Sequence, residues 1–114
     1  MAETIFSKII EKEIKADIVF ESEKVLAFKD INPQAPVHIL ILPKEEIDQT
    51  TNLDSKKHSE LLGEMFDAAN KIAKDFKIDD GFRLVINNGE KVGQSVFHLH
   101  MHLLGGRQMN WPPG

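Results

Sequence analysis

The sequence has no cysteine, no tyrosine and a single tryptophan. The lack of cysteine excludes a disulfide scaffold, a thiolate zinc site and a cysteine nucleophile. An excess of positive charge is also missing. Fourteen Lys and Arg face 18 Asp and Glu, a net charge of −4. Broad nucleic-acid binding needs a positive surface that displaces counterions, so no nucleic-acid partner is expected. No apolar run exceeds four residues, as in Ile39-Leu40-Ile41-Leu42. A membrane span needs about 20, so no membrane partner is expected either. The N-terminus, Met1-Ala2-Glu3-Thr4, shows no basic stretch followed by an apolar one. A cytoplasmic setting is the expectation.

What remains suits one domain over residues 1–114. Domains of this size bury enough surface for a core, and 41% of the residues are hydrophobic. Ile5, Phe6, Ile9 and Ile10 recur at helical spacing, with Thr4 as a cap, over Thr4 to Glu11. Asp17 to Glu21 and Lys24 to Phe28 read as strands joined at Ser22-Glu23. Val37 to Leu42 reads as a strand buried on both faces and ended by Pro43. A long helix starts at Asp54 or Ser55 and reaches about Phe76. Its apolar stripe is Leu61, Leu62, Met65, Phe66, Ala69, Ile72, Ala73 and Phe76. Phe82 to Asn87 and Ser95 to Leu104 read as two more strands. Helices and strands do not alternate one for one, so the expectation is α+β. A five-stranded, mainly antiparallel sheet would carry the long helix on one face.

Three of the five histidines fall within five residues, His98-Leu99-His100-Met101-His102. On a strand they share one face at intervals of roughly 6.6 Å. Phe97, Leu99, Met101 and Leu103 would then pack on the core. His58 is expected at the solvent side of the long helix. Three chemistries fit such a row. It can be the polar face of a half-buried strand. It can hold a metal, with His38 as the further ligand a closed zinc site wants. It can be an imidazole catalyst, because a neutral ring is a nucleophile at neutral pH and a neighbour can orient it.

The loop before the row favours catalysis. Asn88 to Gln94 carries Gly89 and Gly93, which let backbone N–H groups approach an anion. Ser95 adds a hydroxyl at the mouth. Asp30, beside Pro33, can either cap its own turn or accept the paired hydroxyls of a ribose.

The run His98-Leu99-His100-Met101-His102-Leu103-Leu104 resembles the His-φ-His-φ-His-φ-φ signature of the histidine triad superfamily. Glu3-Thr4-Ile5-Phe6, Phe28 to Pro36, Gly93-Gln94-Ser95-Val96-Phe97 and Gly105 to Gly114 are similar to its Hint branch, over essentially the whole chain. The resemblance implies a purine nucleoside phosphoramidase that passes through a nucleotidyl-histidine. It implies His100 as nucleophile and His102, Gly93, Gln94, Ser95 and Asn87 around the phosphate. Ser95 would also aid protonation of the leaving amine. Asp30 would hold the ribose, Ile31 the base, and His98 and His38 would support His100. It implies no cofactor and no metal. It further implies a homodimer with a ten-stranded sheet, in which the tail 106–114 brings Trp111 toward the partner's site. Lys15 stands where many relatives have Pro, and Glu90-Lys91-Val92 is bulkier than the Gly-rich equivalent of some. A zinc-binding protein or a non-catalytic nucleotide-binding adaptor are the rival expectations.

Overall fold

The computed structural model describes residues 3–114. Met1 and Ala2, part of the N-terminal stretch read above, lie outside the described residues. The chain runs α1 (Ile5–Ile10), β1 (Ile18–Glu21), β2 (Val25–Lys29), β3 (Val37–Pro43), α2 (Ser55–Asp75), β4 (Phe82–Val85) and β5 (Met101–Gly105). Among the described residues the strands form one sheet, ordered β1-β2-β3-β5-β4, with every neighbouring pair antiparallel. No helix in this range is long and apolar enough to cross a membrane.

β3 is the central strand, and its unbroken Ile and Leu content has a physical reason. Ile39 and Ile41 join the cluster under α2, with Leu61, Met65 and Ile72. Leu40 and Leu42 point to the opposite face, where Phe6 and Ile9 of α1 cover them. α1 spans six residues, too short to be stable alone. The capping box of Thr4 and Ser7 closes its start, and burial of Phe6 and Ile9 holds it down. Burial contributes about 1.5–3 kcal/mol for each such side chain.

Five expectations change. The last strand begins at Met101, not Ser95. Pro43 at the end of β3 has no N–H to continue the ladder. The Leu99 N–H instead donates to the Ile47 carbonyl at 2.7 Å, beyond the sheet. Residues 95–100 therefore anchor on the segment after β3, and Phe97, expected in the core, is half-exposed. Likewise β4 stops at Val85, short of the expected Asn87. On α2 the buried line runs His58, Leu61, Met65, Ala68 and Ile72, in steps of three and four. Phe66 lies on its flank and is exposed. His58, expected in solvent, is on that line and buried. Its Nδ1 accepts from the Asp54 N–H, and its Nε2–H donates to Glu45 Oε2, each at 3.0 Å.

Candidate active site

The histidines gather on the sheet face opposite α2. Leu99, Met101 and Leu103 point into the α2 core, so the alternating residues turn toward α1. Phe6 of α1 stands edge-on against His100, with ring centroids 4.9 Å apart. The rings of His100 and His102 are 5.0 Å apart, and those of His38 and His102 are 5.2 Å apart.

The protons on these rings follow from their partners. Nδ1 of His100 lies 2.7 Å from the His98 carbonyl, so it carries hydrogen and donates. That leaves Nε2 of His100 with a lone pair. The Gln34 N–H donates to Nδ1 of His38 at 3.0 Å, so His38 is protonated on Nε2. That Nε2–H lies 2.9 Å from Nδ1 of His102 and donates to it. Nε2 of His102 must then carry the hydrogen. The site thus presents one lone pair, on His100, beside one N–H donor, on His102.

Burial reinforces the neutral forms, because it disfavours the charged ring. It pushes His102 down to about 4, with further lowering by His100 and His38 and an opposing pull from Asp30. His100 is lowered by burial first, against the raising effect of its bond to the His98 carbonyl. Burial also lowers His98 and His38, with Asp30 opposing it at His38. His98 donates from Nε2 to the Pro43 carbonyl at 2.7 Å. Its Nδ1 is buried without a partner, consistent with a neutral ring.

A cavity of about 400 Å³ opens beside this row. Ligand pockets commonly span ~300–1,000 Å³. Of the residues expected at the site, Asp30, Ile31, Ser95, His100 and His102 line it. Its apolar wall includes Phe6, Ile9, Phe28 and Leu40, and Lys15 lies at its border. Asp30 accepts from the Asn32 N–H at 2.8 Å through Oδ1, and its Oδ2 is 3.4 Å from Nε2 of His38. Ile31 is 97% exposed at the rim.

Other expected residues lie away from the lining. His98 and His38 are not in the lining; His38 bonds to His102, and the His98 carbonyl accepts from His100. Gly93 adopts a left-handed φ of 103°, and a Cβ there would meet Asn87 Nδ2 at 4.0 Å. Gln94, expected to touch nucleotide, is buried, and its side-chain amide is taken up by backbone groups. Trp111 is exposed beside Arg83, Val85 and Ile86, outside the histidine cavity. Sequence reasoning missed Phe6 and Phe28 as site residues. Their apolar spacing marked them for a core, and nothing in it distinguishes a core wall from a pocket wall.

Asp30, His38 and His102 offer ligand atoms within 4.8 Å of one another. They do not fit a metal as they stand. Nε2 of His38 and Nδ1 of His102 are joined by a hydrogen bond, so they point at each other. Turning the Nε2 lone pair of His38 to a metal would move its proton to Nδ1, against the Gln34 N–H.

The HIT domain family model matches residues 11–109. A 14 kDa zinc-binding protein of Zea mays is 58% identical, over 97% of this chain and 88% of its own. Adenylylsulfatase HINT1 of Arabidopsis thaliana is 54% identical, over 97% of this chain and 76% of its own. The crystal structure of a HIT family hydrolase from Legionella pneumophila superposes with a TM-score of 0.95 and 47% identity, covering 98% of this chain and all of that one. The triad, the five-stranded sheet and the extent of these matches agree, and the chain belongs to the HIT domain family, in its Hint branch.

Proposed function

We propose that this protein is a hydrolase of nucleotide substrates, and specifically a purine nucleoside phosphoramidase that cleaves the P–N bond of nucleoside 5′-phosphoramidates. One observation carries it. Nδ1 of His100 is tied to the His98 carbonyl, which leaves Nε2 as a lone pair at the cavity. The names of the Arabidopsis and Legionella relatives, an adenylylsulfatase and a hydrolase, support hydrolysis at a nucleotide.

In the first step Nε2 of His100 attacks phosphorus and the P–N bond breaks. The departing nitrogen takes a proton through the Ser95 hydroxyl, which solvent restores. The Nε2–H of His102 donates to a phosphoryl oxygen as charge develops there. In the second step water attacks phosphorus and releases its proton to solvent. The P–Nε2 bond breaks, the nucleoside monophosphate leaves and His100 regains its lone pair. Asp30 accepts the ribose hydroxyls, Ile31 and the apolar wall take the purine, and Asn87 and Gly93 flank the phosphate. No step passes through a metal. The protein acts as a homodimer in the cytoplasm, with two sheets joined as ten strands and Trp111 near the partner's site.

Adenosine 5′-phosphoramidate tests this. Mass spectrometry after brief mixing should find a nucleotidyl adduct on His100. His100→Ala should lose turnover by about 10³-fold or more, as nucleophile deletions do, while still binding AMP. Near-normal turnover by that variant would sink the assignment. The zinc-binding reading rests on the name of the Zea mays relative. It would gain if purified protein held one zinc per chain and a chelator removed zinc and activity together.

A further inference from the structure

We infer that Gln94 is a positioning residue that fixes the Ser95 hydroxyl for the leaving group. This rests on the phosphoramidase assignment above. The Gln94 side chain is 2% exposed and does not reach the cavity lining. It joins three pieces of backbone. Its Oε1 accepts from the Gly89 N–H at 2.8 Å, while its own backbone N–H donates to the Gly89 carbonyl at 3.2 Å. This two-point clasp closes the loop 89–94 into a ring. Its Nε2 donates to the Asp48 carbonyl at 2.7 Å and to the Val96 carbonyl at 3.2 Å. The first bond fastens the ring to the segment after β3, and the second fastens it to the approach to the histidine row.

Ser95 lies between the clasped residue and Val96. It has one neighbour turned inward with its amide fully engaged, and Val96 packed against the α1 side of the core. The chain is thereby anchored on either side of Ser95, at the Gln94 N–H and at the Val96 carbonyl, and Ser95 lines the cavity together with His100 and His102. A serine on a free loop would sample many positions, and proton transfer depends on geometry at hydrogen-bond reach. Gln suits this position because it supplies one acceptor and two donors in one plane. Glu in its place would keep the acceptor for Gly89 and set an oxygen against the two carbonyls.

The role is separable from general support because only one bond-breaking event needs Ser95. An amine leaves phosphorus with a proton, whereas a p-nitrophenolate leaves without one. Turnover of an N-alkyl adenosine 5′-phosphoramidate and of adenosine 5′-(p-nitrophenyl phosphate) should be measured for wild type, Gln94→Ala, Ser95→Ala and the double variant. Gln94→Ala should lower kcat on the phosphoramidate at least about tenfold, within the 10²–10⁴ that acid–base help contributes. It should leave kcat on the nitrophenyl ester, and KM for both, within about twofold of wild type. The double variant should lose no more than Ser95→Ala alone, because residues acting as one unit are not additive. Equal losses on both substrates, additive losses, or a fall in thermal stability without a change in kcat overturn the proposal. If Gln94→Ala does not fold, Gln94→Glu has the same side-chain length and should show the same split between substrates. A wild-type protein that cleaves neither substrate overturns the phosphoramidase assignment and this role with it. A wild-type protein that cleaves both, beside an unaffected Gln94 variant, overturns this role alone.

Discussion

Two of the four buried or half-buried imidazoles of the site, His38 and His102, are held neutral by a donor that leaves no room for a second proton, and burial disfavours the charged form of all four. His38 accepts a backbone N–H, and His102 accepts from His38. Their shifts are all downward, and the chain's stability should show it. Below about pH 6.5 the unfolded rings bind protons that the folded rings refuse. The unfolded state then holds more protons, so stability falls as pH drops. For His102 the loss runs from about 6.5 to about 4, and His38, His98 and His100 act in the same direction. The urea midpoint should therefore be lower at about pH 5.5 than at about pH 7.5, a span in which carboxylates stay charged. An unchanged or higher midpoint at the lower pH would contradict neutral histidines. With His100 as the proposed nucleophile, the acid limb of turnover should lie below the ordinary imidazole value, because a lowered His100 keeps its lone pair to lower pH. That His98, His100 and His102 share a face was legible from their spacing. Which nitrogen carries each proton was not, because Pro43, Gln34 and the His98 carbonyl decide it.

Both helices end in the same way, and neither uses the residue that usually does so. After α2, Lys77 takes a left-handed φ of 60°, its N–H donates to the Lys74 carbonyl, and the Ile78 N–H reaches the Ala73 carbonyl at 2.8 Å. After α1, Lys12 has φ 64°, with the Glu13 N–H on the Lys8 carbonyl. This paired bonding closes a helix, and glycine adopts it without the Cβ strain. A side chain in this region costs about 1–2 kcal/mol. Lys77→Gly should therefore raise stability by about 1 kcal/mol in urea unfolding, less whatever the unfolded chain gains in freedom. A clear loss would show that the Lys77 side chain contributes more than its strain costs. The closure also places Ile78, buried in the α2 core, where it packs onto β5. A Cβ on Gly105 would lie 3.2 Å from Ile78 Cβ, so the strand that ends the histidine row needs glycine there. The elements themselves were legible from apolar period, caps and prolines. The true start of β5 was not, since it depends on Pro43 lacking a donor and on Ile47 capturing the Leu99 N–H.

At the scale of the molecule the sheet has two exposed margins, β1 and β4. Unpaired strand edges invite pairing with another chain. The tail lies beyond β4, where Arg83 Nη2 donates to the Asn110 carbonyl at 3.0 Å. With the proposed homodimer, light scattering should give about twice the 12.9 kDa of one chain. Truncation after Gly106 should then alter substrate preference, through loss of Trp111, more than it alters the fold. A monomeric mass at working concentration would remove the ten-stranded sheet from the account.

The α+β class, the two-sided burial of β3, the shared face of the triad and the family were legible in the sequence, because they follow from local period and from residue type. The tertiary structure alone decided the tautomers, the inward turn of Gln94, the burial of His58 and the exposure of Phe97. Three of them rest on partners distant in the chain: Pro43 for the His98 tautomer, Asp48 for Gln94 and Glu45 for His58. Side chains are placed by what they meet, and only folding brings those groups within reach.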